Sequence, residues 1–201
     1  MRVVLASTNR HKVEEFQRLF VGARLEVRAP AGWDLAPLVI EEAGRTFAAN
    51  AITKARAYCT AYNMPALADD SGIRVDVLAG APGIRSARFG SPDLDDAGRA
   101  RYLLTSLTGI EEARRGANYV CALALALPGE PPIVVEGRWY GRVGHEYLAG
   151  GTGFGYDPVF MASSMGMPVS RLTPVQKDEL GHRGKATRRL LSAISARNLA
   201  G

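Results

Sequence analysis

A mixed sheet flanked by helices, in an α/β or α+β arrangement, is the fold this sequence predicts, and three observations carry it. Short apolar runs such as Val3-Val4-Leu5-Ala6 and Ala66-Leu67-Ala68 alternate with longer stretches whose apolar residues recur at helical spacing. The 201 residues are 47% hydrophobic, enough to bury a core as one domain or two closely joined lobes. No internal repeat or low-complexity linker interrupts the pattern.

In chain order, Val3 to Ala6 is β-branched, apolar and followed by polar turn formers, the pattern of a buried first strand. A helix follows from Arg10, with Val13, Phe16, Leu19 and Phe20 on one face and Asn9 as its N-cap. The next helix spans about Thr46 to Tyr62, placing Phe47, Ala51, Ile52, Ala55 and Cys59 on or near one side, and Asn63-Met64-Pro65 ends it. Ala66-Leu67-Ala68 reads as a short strand leading to Asp69-Asp70-Ser71-Gly72, after which Ile73, Val75 and Val77 alternate as in a half-exposed strand. The acidic pair is thus expected between strands. Asp93 is placed to cap a third helix running through Leu107, closed by Gly109. Tyr119 to Leu127 and Ile133 to Trp139, joined by Pro128-Gly129-Glu130-Pro131-Pro132, form a long hairpin. Gly150 to Pro158 is a glycine-rich loop. Thr173 and Gln176 make a capping box with Pro174 at the first helical position, Gly181 stops that short helix, and a last helix carries Ala186, Leu190, Leu191 and Ile194.

Composition excludes several classes. The longest apolar stretch, Cys121 to Leu127, is far shorter than a membrane span, and the first residues turn polar too soon for a signal peptide, so a cytoplasmic protein is expected. Cys59 and Cys121 lack metal-ligand spacing and lie in apolar patterns, which predicts buried free thiols. The net charge of +5, from 25 basic and 20 acidic residues, suits an anionic partner without naming one.

Four segments carry candidate chemistry. In Ser7-Thr8-Asn9-Arg10-His11-Lys12, backbone N–H groups at a helix start and the Lys12 ammonium are suited to phosphate oxygens, although any strand-to-helix turn uses such residues. Asp69 and Asp70, with Glu41-Glu42 upstream, are a pair whose mutual repulsion a hard cation such as Mg2+ would relieve; the plain alternative is a structural turn. Phe154, flanked by Gly153 and Gly155 and followed by Tyr156 and Asp157, offers a ring face to a nucleobase, or else plugs a core. Lys177 and His182-Arg183-Gly184 bring positive charge to helix starts, where an anion is held or a solvated face is formed.

Together these segments supply an acidic metal site, phosphate-reaching lysines, a base platform and a clamping arginine. Landmarks in the same order occur in the inosine triphosphate pyrophosphatase family, which the sequence resembles from first strand to last helix. They are Leu5-Ala6-Ser7-Thr8-Asn9 with Lys12; Glu41-Glu42, Gly44, Thr46-Phe47, Asn50-Ala51 and Lys54-Ala55; Ala68-Asp69-Asp70-Ser71-Gly72; Gly80-Ala81-Pro82-Gly83 with Ser86-Ala87-Arg88; Gly153-Phe154-Gly155-Tyr156-Asp157-Pro158; and Lys177 with His182-Arg183-Gly184. Ser7-Thr8-Asn9 stands where many members carry Thr-Gly-Asn, and Arg85 where an aromatic is frequent.

The resemblance implies an elongated, two-lobed α/β fold with a central mixed sheet flanked by helices and a cleft between the lobes, all of 1–201 acting as one domain, and a homodimer. It implies hydrolysis of inosine, deoxyinosine and xanthosine triphosphates to the monophosphate and pyrophosphate with Mg2+, which cleanses the nucleotide pool. Asp70 is then expected as metal ligand and proton acceptor, with Asp69 and Glu41 as further ligands and Glu42 as the substitute for Glu41. Ser7, Thr8, Asn9, Arg10, His11, Lys12, Ser71 and Lys177 would hold the triphosphate. Phe154 would stack on the base, and Gly155, Tyr156, Asp157, His182 and Arg183 would line its pocket. Two rivals are weighed. A related family prefers modified pyrimidines, against which the Phe154 to Asp157 and His182-Arg183 segments argue. A non-catalytic nucleic-acid-binding protein would leave Glu41, Asp69 and Asp70 unexplained, so no stable nucleic-acid or membrane partner is expected.

Overall fold

The computed structural model describes residues 1–150, 153–163 and 165–197; Gly151 and Thr152 of the glycine-rich loop lie outside them. Strand β1 (Arg2–Leu5) leads into helix α1 (Arg10–Leu19), whose N-cap Asn9 accepts a hydrogen bond from the Lys12 backbone N–H as its sequence predicts. Strand β2 (Glu26–Arg28) follows, then helix α2 (Phe47–Tyr62), capped by Thr46 and ended by Asn63 in the left-handed region at φ 46°. Strand β3 (Ala66–Val75), helix α3 (Asp96–Ser106), strands β4 (Gly116–Ala126), β5 (Ile133–Val143) and β6 (Phe160–Ala162), and helices α4 (Pro174–Leu180) and α5 (His182–Ala196) complete the chain. The sheet has six strands in the order β2-β1-β3-β4-β5-β6. Because β1 pairs parallel with β2 and β3 while β5 pairs antiparallel with β6, the sheet is mixed.

Two expectations change, and two strands are added. Asp69 and Asp70 lie inside the continuous strand β3 and not in a turn between two strands, because β3 runs unbroken between β1 and β4 in the sheet. The cap of α3 is Asp95, whose side chain accepts from Gly98 N–H at 2.7 Å, two residues beyond Asp93. Strands β2 and β6, three residues each, carry no periodic signal long enough to read. The capping box of α4 is present as predicted, with the Thr173 N–H donating to Gln176 Oε1 and the Gln176 N–H to Thr173 Oγ1.

The chain divides into two compact units. One comprises 1–70, 121–137 and 182–201, and the other 71–120 and 138–181. The first has a core of Val3, Leu5, Phe16, Phe20, Leu67, Leu123, Leu125 and Leu190, with buried Cys121 among them. The second is built on Ile73, Leu103, Tyr119, Trp139, Phe160 and Leu172. Both cysteines are buried and free. Among the described residues no helix is long and apolar enough to cross a membrane.

Gly137 of β5 lets the start of α5 lie directly on the strand. A Cβ there would collide with the His182 carbonyl and stand 2.6 Å from the Ala186 nitrogen, both backbone atoms that cannot swing aside. Gly137→Ala is therefore expected to destabilise the protein by about 1–3 kcal/mol, read from the urea midpoint. An unchanged midpoint would show that the helix start yields freely.

Candidate functional site

In the first unit, the acidic pair of β3 meets basic residues from three helices. The Asp69 side chain is fully shielded from solvent. Its Oδ2 receives the Lys12 ammonium at 2.7 Å and lies 3.6 Å from Arg183 Nε, and its Oδ1 accepts from Cys121 Sγ at 3.1 Å. Burial alone would raise its pKa, yet the charges of Lys12 and Arg183 overcome that and hold the carboxyl well below the usual carboxylate range. Its contribution to stability is thus in place at neutral pH and is withdrawn only in strong acid, as the pH falls through that lowered value. Arg183 also donates to buried Glu15 at 3.2 Å, so one guanidinium ties α5 to α1 and β3.

Asp70 faces a different environment. Burial pushes its pKa up, with Asp69 and Glu42 adding to the rise and Lys54 and a hydrogen bond from Asn50 opposing it. Asn50 is itself buried and donates to Asp70 Oδ2 at 2.9 Å, while its own oxygen accepts from Gly44 N–H at 2.8 Å. Lys54 Nζ lies 2.9 Å from Glu42 Oε1, 2.8 Å from the Asp69 carbonyl oxygen and 3.9 Å from Asp70 Oδ1. The Lys54 ammonium is therefore surrounded by oxygens, the donor type that also suits a hard divalent ion. Among the described residues no three His, Cys, Asp or Glu side chains converge closely enough to hold a metal.

Glu42 is the glutamate beside Lys54 and Asp70, whereas Glu41 is exposed. Asp69 is withdrawn from solvent and engaged with Lys12, Arg183 and Cys121. Thr8, Asn9, Arg10 and His11 are exposed at the start of α1, Ser7 is half-buried, and its Oγ accepts from Asn9 N–H at 3.2 Å. Arg10 pairs with Glu14 at 2.7 Å on the exposed side of that helix. His182 and Arg183, expected at the base, sit in the first unit, both buried.

In the second unit, Asp157 organises the aromatic segment. Its Oδ2 receives the Lys177 ammonium at 2.6 Å and the Phe154 N–H at 3.0 Å, and its Oδ1 accepts the Tyr119 hydroxyl at 3.1 Å. Lys177 Nζ stands 4.8 Å from the Phe154 ring centroid, so the ammonium covers one face of the ring. Lys177, expected at the triphosphate, is thus placed beside Asp157 and the Phe154 ring. Gly155 N–H donates to Asp96 at 3.0 Å, and the buried Tyr156 hydroxyl donates to the Ser86 carbonyl at 2.7 Å. Ser71 is half-buried in β3.

Sequence reasoning assigned no role to Asn50, Lys54, Glu15, Tyr119 or Asp96. Asn50 and Lys54 stand in a recognised motif, one helical turn apart on α2, and that spacing was the available signal. The others read as ordinary helix charges or a strand aromatic.

Comparison with known proteins identifies the family. The sequence model described as the Ham1 family matches residues 3–193. A protein of Nocardia farcinica named dITP/XTP pyrophosphatase is 42% identical over 197 residues, covering 97% of this chain and 95% of that protein. The structure of a HAM1 protein from Coxiella burnetii superimposes with a TM-score of 0.86 at 34% identity, covering 98% of this chain and 99% of that one. A nucleoside-triphosphatase, dITP/XTP pyrophosphatase, from Mycobacterium abscessus gives 0.74 at 38% identity, over 95% and 99%. A match across almost the whole length, with substantial identity to several relatives, places this chain in the Ham1 family.

Proposed function

We propose that this chain hydrolyses non-standard purine nucleoside triphosphates (dITP, ITP and XTP) to the nucleoside monophosphate and pyrophosphate. It does so in the cytoplasm, as a homodimer of single-domain chains with Mg2+. The observation that carries the reading is Asp70, a buried carboxylate oriented by Asn50 beside Glu42 and Lys54. The relative's name, dITP/XTP pyrophosphatase, supplies the substrate class.

Attack of water on the α phosphorus breaks the α–β anhydride bond and expels pyrophosphate, and a proton acceptor must stand beside that water. Asp70 meets that need as a buried carboxylate held in place by the Asn50 hydrogen bond. Asn50 holds one carboxylate oxygen and leaves the other for the water proton. When bound by Asp70 and Glu42, Mg2+ supplies charge neutralisation at the phosphate oxygens. Lys12 and the exposed N–H groups at the start of α1 receive the outer phosphates, with Asp69 and Arg183 fixing Lys12 from behind. The base stacks on the face of Phe154 opposite Lys177.

The test is product identification. Purified protein with Mg2+ and inosine triphosphate is expected to release pyrophosphate and inosine monophosphate in equal amounts. Orthophosphate and the diphosphate as products would refute attack at the α phosphorus.

A further inference from the structure

Glu42 Oε1 and Asp70 Oδ1 both face the Lys54 ammonium, at 2.9 and 3.9 Å. A third oxygen fixes the same nitrogen, the carbonyl of Asp69 in strand β3 at 2.8 Å. The lysine stem rises from the middle of α2, one helical turn after Asn50, whose amide holds the other carboxylate oxygen of Asp70. The positive charge is thus anchored by the strand backbone and not by the carboxylates alone. Its side chain is only 12% exposed, so water screens it weakly.

Mg2+ is commonly bound through one or two carboxylates completed by substrate phosphates. Glu42 and Asp70 are the pair assigned to it above. A fixed ammonium within about 4 Å of a carboxylate repels a second cation approaching the same oxygens, and more strongly in a shielded site than in bulk water. With Lys54 already balancing one of the two carboxylates, a divalent ion gains little from these side chains by themselves. A triphosphate brings several negative charges and restores the attraction. The Asp69 carboxylate has its own cations, since Lys12 and Arg183 lie on it.

We propose that Lys54 sets the metal affinity of this site: by neutralising Glu42 and Asp70 it keeps the protein from taking up a divalent cation alone, so that the ion is held tightly only together with the triphosphate. The inference rests on Glu42 and Asp70 being the metal carboxylates, as in the function proposed above.

Mn2+, which shares the preference of Mg2+ for carboxylate and water oxygens, reports this affinity without turnover when titrated into nucleotide-free protein and followed by electron paramagnetic resonance. Lys54→Met keeps most of the stem and removes the charge, and it is expected to bind Mn2+ about tenfold or more tighter than the wild type. A merely structural role for Lys54 would leave that affinity unchanged or weaken it, and either result overturns the proposal. Should that variant fold poorly, Lys54→Gln, which keeps an amide donor in place of the ammonium, is read by the same two outcomes. Adding Asp70→Asn to Lys54→Met is expected to abolish the gain. A gain that survives Asp70→Asn places the ion elsewhere and overturns the metal assignment, and the proposal with it. Mn2+ binding that Lys54→Met leaves unchanged but Asp70→Asn weakens overturns only the role of Lys54.

Discussion

Asp70→Asn is expected to lower kcat on inosine triphosphate by about a hundredfold or more while leaving the protein as stable as the wild type, or more so. The shape of the side chain is retained and Asn50 keeps an oxygen to donate to, but the proton acceptor and its charge are gone. Stability should not fall, because the raised pKa means that the folded state disfavours the ionised carboxyl. At neutral pH, burial of that charge weakens the fold, and the neutral amide removes the cost. Kinetics and thermal unfolding of the same preparation separate the two statements. A folded variant with near-normal turnover at saturating Mg2+ would remove Asp70 from the chemistry.

Arg183→Ala is expected to act in the opposite sense, on stability first. Its guanidinium lies among buried Glu15 and Asp69, and removing one partner of a buried ionic cluster leaves charge uncompensated, at a cost of about 3–5 kcal/mol. Urea denaturation measures the loss. Adding Glu15→Gln should recover part of it, since the carboxylate left without its partner is then neutral. If Arg183→Ala left the urea midpoint unchanged and lost only activity, its contacts with Glu15 and Asp69 would carry little stability and a direct role with substrate would be favoured.

The difference between those two residues shows what was legible in the sequence. The first strand, the first two helices and the capping box were readable because local rules decide them. Asn9, Thr46 and Thr173 satisfy their own helix starts within three residues. Strands β2 and β6 are too short to carry a period and exist through their pairing with β1 and β5. Asp69-Asp70-Ser71-Gly72 has the composition of a turn, and sheet pairing, a non-local interaction, made it strand. In the site, Asp70 and Lys12 stood out by type and position. Glu15 did not, because its partner Arg183 is 168 residues away and nothing on α1 marks it. The surroundings of Glu42 depend on the direction of one loop, which its contact with Lys54 and the Asn50 hydrogen bond from Gly44 N–H show only in three dimensions.

Selectivity for the base edge is the centre of the account, and steady-state kcat/KM for inosine, xanthosine, adenosine and guanosine triphosphates under one Mg2+ concentration tests it most directly. Donor and acceptor mismatch at a dehydrated edge costs about 1–3 kcal/mol per unpaired group, so the inosine and xanthosine values should exceed those for ATP and GTP by at least one to two orders of magnitude. Comparable efficiency on ATP and inosine triphosphate would contradict the account, even with pyrophosphate as the product.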